Sequence, residues 1–257
     1  MAFSMSEELL PVFAPIIVYW IGAAIYQVTL CTMEQYRLFT QEEEETQNLA
    51  TRSQVLVGVL VNQAMQMGLA MLMFMSGGLV PAGSSTARSP SLIRVVGQMA
   101  VATLLMDCWE YFWHRWTHEN KFLYKHVHAM HHHMVVPYTY GSQYIHPVDA
   151  IMGEILGGFV VILVCGMSPR TAAVFFSLLT LKGLDDHCGM WFPNHPIHRW
   201  MTNNAAFHAL HHQHVGTKSN YSVHYLATWD LLLGTYLPVS VEPRKDGGYQ
   251  LQTAKDE

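Results

Sequence analysis

No charged side chain interrupts the chain from Leu9 to Met33, and a second charge-free stretch runs from Ser53 to Thr86. Each exceeds the roughly 20 apolar residues that a helix needs to cross a bilayer. The second is expected to end near the breakers Gly77-Gly78 and Pro81. A third segment is shorter, because Arg94 and Asp107 bracket only 12 uncharged residues. A helix starting about Leu92 still crosses if Arg94 snorkels and the helix runs on past the bilayer into a polar face. Two further apolar runs, 155–169 and 171–181, meet at Pro169-Arg170 and predict a helical hairpin, tightly spanning or re-entrant. Glu42 to Glu45 marks a solvated loop, and the chain from Glu242 onward is a polar tail. The pattern predicts an all-α integral membrane protein of about four to five transmembrane or re-entrant helices with a helical cap. Its expected organisation is an N-terminal membrane region (1–91), a main domain (92–240) and a tail (241–257).

Composition agrees with a membrane protein and narrows its chemistry. Of the 257 residues, 51% are hydrophobic and only 13% charged, about half the charge of a soluble domain. A net charge of -5 excludes a nucleic-acid binder. The four cysteines are scattered and form no C-x-x-C pair, so neither a disulfide framework nor a thiolate zinc site is expected. Glu7 and Glu8, not basic residues, precede the first apolar stretch, which is therefore read as a retained helix. If the histidine-rich segments face the cytosol, 11 of the 14 Lys and Arg residues fall on that side. The positive-inside bias favours that orientation.

Histidine is the outlier, with 16 copies. His114 and His118 lie i, i+4 in DCWEYFWHRWTH. His128, His131 and His132 form H-x-x-H-H, and so do His208, His211 and His212. Chance at this composition gives roughly 0.06 copies of that word. On a helix the spacing sends three imidazoles to one side, which suits metal coordination by neutral ring nitrogens. His187 in DDHCG is a plausible ninth ligand, and His146 a pocket residue or a hydrogen-bond partner of a ligand. His126, His133, His195, His198, His214 and His224 break the helical register and are expected at the periphery. Imidazole accepts Zn, Cu, Fe or Ni. Nine ligands are too many for one ion and suit two. Arg115 stands where a hydrolytic H-E-x-x-H site needs its base. Paired iron at a membrane surface points instead to dioxygen activation against a lipid C–H bond. Asp107, Glu110, Asp185 and Asp186 are the acids expected to orient the imidazoles.

The order H-x3-H, H-x2-H-H, single His, H-x2-H-H resembles the fatty acid hydroxylase superfamily of membrane di-iron oxygenases. His146-Pro147, Asn220-Tyr221, Trp229-Asp230 and Gly234 to Tyr236 are further matches. Within it, FLYKHVHAMHH, VPYTYG, GMSPRTA, DDHCG and GTKSNYS resemble the plant sphingoid-base C4-hydroxylase branch, over nearly the whole chain. The resemblance implies two iron ions on His114, His118, His128, His131, His132, His187, His208, His211 and His212, with zinc able to replace iron in isolated protein. Asn220 and Tyr221 join the pocket. The implied reaction hydroxylates carbon 4 of sphinganine or dihydroceramide with O2. Since the chain has no nucleotide fingerprint or haem word of its own, electrons are expected from a partner, which the resemblance implies is cytochrome b5 with NADH-cytochrome b5 reductase. Arg115, Lys121, Lys125, Arg199 and Lys218 are candidate docking charges. The implied location is the endoplasmic reticulum membrane, multi-pass, with the histidine boxes facing the cytosol. Two words depart from the family pattern: His133 replaces a basic residue, and HP-x-E reads His146-Pro147-Val148-Asp149. Other lipid hydroxylases or desaturases of the superfamily, such as sterol methyl oxidases and fatty acyl 2-hydroxylases, share the ligand boxes. A metal transporter would place its ligands at mid-membrane in broken helices, whereas these boxes lie outside the long apolar runs.

Overall fold

A computed structural model describes residues 7–75 and 91–253. The Gly77-Gly78 and Pro81 breakers lie outside the described residues. Among the described residues, twelve α-helices carry the fold. They begin with Leu10–Thr32 (α1), Gln41–Gln47 (α2), Arg52–Met75 (α3) and Leu92–Glu119 (α4), followed by the short Lys121–Leu123 (α5), Ala129–His132 (α6) and Pro147–Asp149 (α7). Leu156–Cys165 (α8), Pro169–Asp186 (α9), Pro196–Trp200 (α10), Ala205–His212 (α11) and Thr228–Leu233 (α12) complete the set. Among the described residues, four helical segments are long and apolar enough to cross a membrane: Glu7–Thr32, Arg52–Leu72, Leu92–Glu119 and Pro147–Cys165. Their outward faces are apolar and bare: Ile17, Ile21, Ile25 and Val28 on α1 are each more than half exposed. That is the surface expected against lipid rather than water.

The third span behaves as its charge pattern predicts. Ser91 caps α4, accepting the Arg94 amide, and the helix continues unbroken to Glu119, carrying His114 and His118 beyond the apolar part. The 155–181 hairpin differs in its limbs. A π-helical turn, Ala150–Ile155, joins α7 to α8, so the first limb begins at Pro147 and reaches spanning length. Gly166, left-handed at φ 58°, ends it, and Ser168 caps α9 through the Thr171 amide. Pro169 therefore begins the second limb and does not form the turn. That limb packs along α1, where a β-carbon on Gly22 would lie 2.7 Å from Leu184. The bundle is equally tight between α4 and α8, where a β-carbon on Gly157 would lie 2.5 Å from Trp109.

The expected polar tail is instead an antiparallel hairpin, Val239–Pro243 (β1) with Tyr249–Thr253 (β2), turning at Gly247-Gly248. Val241, Tyr249 and Leu251 pack on Leu38, Phe39, Val136 and Ala209, while Arg244 bonds the Leu38 carbonyl and Glu43. The hairpin thus braces α11 against the loop after α1. Apart from this hairpin, the regular elements among the described residues are helices.

Candidate metal centre

The nine candidate ligands come from five places in the chain and are all buried. His114 and His118 end α4. His128 closes a π-helical turn, Tyr124–His128, from which α6 carries on with His131 and His132. His187 follows the last turn of α9, and α11 supplies His208, His211 and His212. Local signals fix each piece: Asn120 caps α5 and Asn204 caps α11 through the Ala206 and Phe207 amides, satisfying amides a helix start leaves open.

The imidazoles gather into two sets, each with ligand atoms within 4.8 Å of one another: His114, His118, His128, His132 and His211, and then His131, His187, His208 and His212. Each H-x-x-H-H box is therefore divided. Residues four apart stay together (His128 with His132, His208 with His212), while the histidine adjacent to the second member turns to the other set. Neighbouring residues sit about 100° apart around a helix, so a histidine doublet faces two directions. The expectation of three imidazoles on one side is corrected accordingly. The sets abut, with His132 stacked on His212 at 4.8 Å between ring centroids.

Hydrogen bonds fix the tautomers. Carbonyl oxygens can only accept, so the Nδ1 atoms facing them carry the protons. His114 donates to Tyr221 O (2.7 Å), His187 to Gly183 O (2.9 Å), His211 to Ser219 O (2.7 Å) and His212 to Met134 O (2.8 Å). His131 faces Tyr144 O at 3.3 Å, and His128 donates to Asp149 Oδ2 at 2.6 Å. The opposite nitrogens are then bare lone pairs, and they converge. Nε2 of His114 lies 3.1 Å from that of His128, and Nε2 of His187 lies 3.3 Å from that of His131. The buried Nε2 of His211 has no partner at all. Two lone pairs cannot bond each other, and a cation between them removes the repulsion. Nitrogens about 2.1 Å from a shared metal stand about 3.0–3.4 Å apart at right-angled to tetrahedral geometry. The donor set fits a metal ion in each group. Burial, followed by mutual repulsion, holds His131, His132, His208, His211 and His212 well below the usual imidazole range, and burial brings His187 down to about 4. These rings stay neutral at pH 7, the form that ligates.

The acids expected to orient the imidazoles do something else. Glu110 accepts from His224 Nδ1 at 2.7 Å. Asp185 accepts from His198 Nε2 and from the Tyr26 hydroxyl, and Asp186 pairs with the buried Lys182. Asp107 is buried with its Oδ1 unpartnered. The acid that holds a ligand is Asp149, fixed on its other oxygen by Trp113 Nε1 at 2.6 Å. It belongs to the HP-x-D word, which was the available signal. His146 caps α7 through the Val148 amide and touches no ligand. Asn220, at φ 57°, exchanges bonds with Leu237, and Tyr221 contributes its carbonyl. Asp230, noted in the Trp229-Asp230 match but given no role there, accepts the Tyr221 and Ser222 amides and the Thr235 hydroxyl, clamping the loop that presents that carbonyl.

His126, His195 and His214 are exposed and His133 half-buried, as expected of peripheral positions. His198 is buried and His224 half-buried, and both are paired, contrary to that expectation, because each meets a carboxylate supplied by another element. Asp185, Cys188 and His198 also converge. There the Phe192 amide donates to His198 Nδ1, which leaves the proton on Nε2 and no imidazole lone pair for an ion. Burial also pushes the Cys188 thiol well up.

A separate cavity of about 240 Å³ is lined by none of the nine candidate ligands. Its wall follows α9 from Pro169 to Gly183, about 21 Å at 1.5 Å per residue. Most of the wall is apolar, Phe159, Ile162, Phe176 and Leu179 among it. The end near the histidines holds Glu110, Glu154, His224 and Gly183. Gly183 is the residue whose carbonyl orients His187.

A family model described as fatty acid hydroxylase matches residues 99–235. Over the whole chain and 98% of its own length, sphinganine C4-monooxygenase 1 of Arabidopsis thaliana is 46% identical. Sphinganine C4-monooxygenase 2 of the same plant is 43% identical over the full length of both proteins. A very-long-chain aldehyde decarbonylase of Oryza sativa subsp. indica is 42% identical over 98% of the chain and 97% of that protein. No solved structure matches.

Proposed function

The chain belongs to the fatty acid hydroxylase family, and from that premise we propose that it inserts one oxygen atom of O2 at carbon 4 of a saturated sphingoid base, giving a phytosphingosine-type product. The observation carrying this reading is the pair of imidazole groups together with a largely apolar cavity whose lining includes Gly183, the residue that orients His187. The substrate follows the names of the two Arabidopsis relatives.

Residues 92–240 form the catalytic domain in this reading. His114, His118, His128, His132 and His211 hold one iron ion, and His131, His187, His208 and His212 hold the second. Bound there, iron supplies the oxidant that an unactivated C–H bond requires. The protein's own part is orientation and exclusion. Asp149 and the main-chain carbonyls lock six rings with their lone pairs inward, and the cavity wall keeps the chain carbon beside them away from bulk water. The second oxygen atom leaves as water, using two protons and two electrons. Cytochrome b5, reduced through its NADH reductase, donates the electrons at the face carrying Lys121, Lys125, Arg199 and Lys218, all exposed, with half-buried Arg115 beside them. That face lies on the cytosolic side of the endoplasmic reticulum membrane.

The test is a sphingoid-base profile by mass spectrometry, in a eukaryotic host lacking its own C4-hydroxylase, for the intact protein and for a His211→Ala, His212→Ala double variant. 4-Hydroxy bases produced only by the intact protein support the reading. A changed sterol, fatty acyl or unsaturated base in their place refutes the substrate and keeps the family. A second reading, conversion of very-long-chain aldehydes, is favoured by the name of the rice relative, and alkane formation in the same cells would select it.

A further inference from the structure

The apolar cavity ends in charge that one partner only half compensates. Glu110, on the turn of α4 below His114, is 6% exposed and accepts from His224 Nδ1 at 2.7 Å. His224 holds a left-handed φ of 65°, uncommon for a residue with a β-carbon, and that conformation delivers its ring to Glu110. Glu154, on the π-helical turn before α8, lines the same end of the cavity. Gln66 Nε2 donates to its Oε2 at 3.2 Å, and the described residues give no donor to Oε1. Two carboxylates thus line an end of the cavity where one imidazole, His224, bonds Glu110 alone. Lys182, also buried, is bound to Asp186, and Asp149 is taken by His128 and Trp113. A carboxylate without a cationic partner in an apolar chamber is costly unless a cation reaches it.

We propose that Glu110 and Glu154 form a head-group subsite that binds an ammonium, so that the protein takes long-chain amines in preference to their N-acylated or uncharged counterparts. Placed here, a single-chain amine lays its tail along the cavity toward Pro169 and supplies the missing positive charge beside the histidine layer. An N-acyl derivative brings a neutral amide and a second chain to the same point. The identity of the natural amine rests on the sphingoid-base reading above, whereas the subsite rests on the cavity and its two acids. Glu110 and Glu154 are specificity-determining residues in this account, and among the described residues neither hydrogen-bonds a candidate metal ligand.

The test measures competitive binding of octadecylamine, octadecanol and N-acetyl-octadecylamine to the metal-loaded full chain in lipid nanodiscs at pH 7. The amine is expected to bind at least about thirtyfold more tightly than the alcohol, the scale for one buried charge partner. Glu154→Gln is expected to bring that ratio within about threefold while octadecanol affinity is unchanged, which also reports an intact cavity. Glu110→Gln is expected to reduce the ratio in the same direction. Equal affinities for amine and alcohol in the unaltered protein overturn the proposal whatever the variants do, and so does a Glu154→Gln protein that keeps the full preference. The substrate reading fails separately. An amine preference without 4-hydroxy bases in the cell profile leaves the subsite standing, and 4-hydroxy bases without an amine preference leave only the reaction.

Discussion

Replacing Asp149 by Asn isolates the one carboxylate that holds a candidate ligand. Its two oxygens each face an N–H donor at 2.6 Å, His128 Nδ1 and Trp113 Nε1. An amide offers one acceptor, so one donor must confront an NH2 group, and the charge assistance is lost from both bonds. A hydrogen bond to a charged group contributes about 1.5–3 kcal/mol, and outer partners of metal-bound histidines typically change affinity about 10- to 100-fold. Affinity of the five-imidazole group is therefore expected to fall about 10- to 100-fold. The four-imidazole group, none of whose rings bonds Asp149, is expected to stay within about threefold. Competition against a chromophoric chelator, with metal content after dialysis, reads both. Asp107→Asn is the control: its Oδ1 has no partner, and the expected change is less than about twofold. Unchanged binding in Asp149→Asn, or an equal loss in both groups, would refute the assignment of Asp149 as the positioning acid.

Because each histidine doublet is divided, His211→Ala and His212→Ala are expected to strip different groups, visible as distinct residual iron spectra and not as one graded loss; identical spectra would contradict the five-and-four division. Acidification has a definite sign. The six neutral histidines outside the spans bind protons less readily than their ordinary value of 6.5, with His187 at about 4, so the unfolded chain takes up more protons as pH falls below 6.5. Stability of the metal-free protein is expected to be full above about pH 6.5 and to decline toward pH 4, by up to about 1.4 kcal/mol per unit for each such ring; a flat denaturation midpoint across that window would contradict it. Gly157→Ala sets a β-carbon 2.5 Å from Trp109 and is expected to cost about 1–3 kcal/mol, read as a lower thermal midpoint. Charge reversal at Lys121 and Lys125 is expected to slow reduction by cytochrome b5 at low salt and much less at high salt; salt-independent rates would remove this docking face.

The spans and the nine histidines were legible because both depend on local periodicity: a charge-free run long enough to cross, and imidazoles repeating at three and four. The outer contacts were not legible, for a physical reason. Asp107, Glu110, Asp185 and Asp186 lie near ligands in sequence, but on a helix their directions are set by neighbours the sequence does not place. Glu110 meets His224 from 114 positions away, and Asp185 meets Tyr26 from 159. The π-helical turns at 124–128 and 150–155 were also invisible to a 3.6-residue pattern, and they set where His128 and Glu154 point. The C-terminal hairpin did leave a trace in Gly247-Gly248 between two alternating segments, which low hydrophobicity concealed.

Most rings of the metal centre are aimed by the main chain. The acceptors at Met134, Tyr144, Gly183, Ser219 and Tyr221 are carbonyl oxygens, which every amino acid possesses. Exchanging those side chains leaves the acceptor atoms in place, so the aiming of the ligands resists single substitutions in a way that a layer of carboxylates cannot. Its vulnerability is displaced to whatever fixes the loops. Asp230 grips two consecutive amides and holds Tyr221 in position without touching an imidazole. The weak points of this centre therefore lie away from the ligands, at the residues that hold the backbone still.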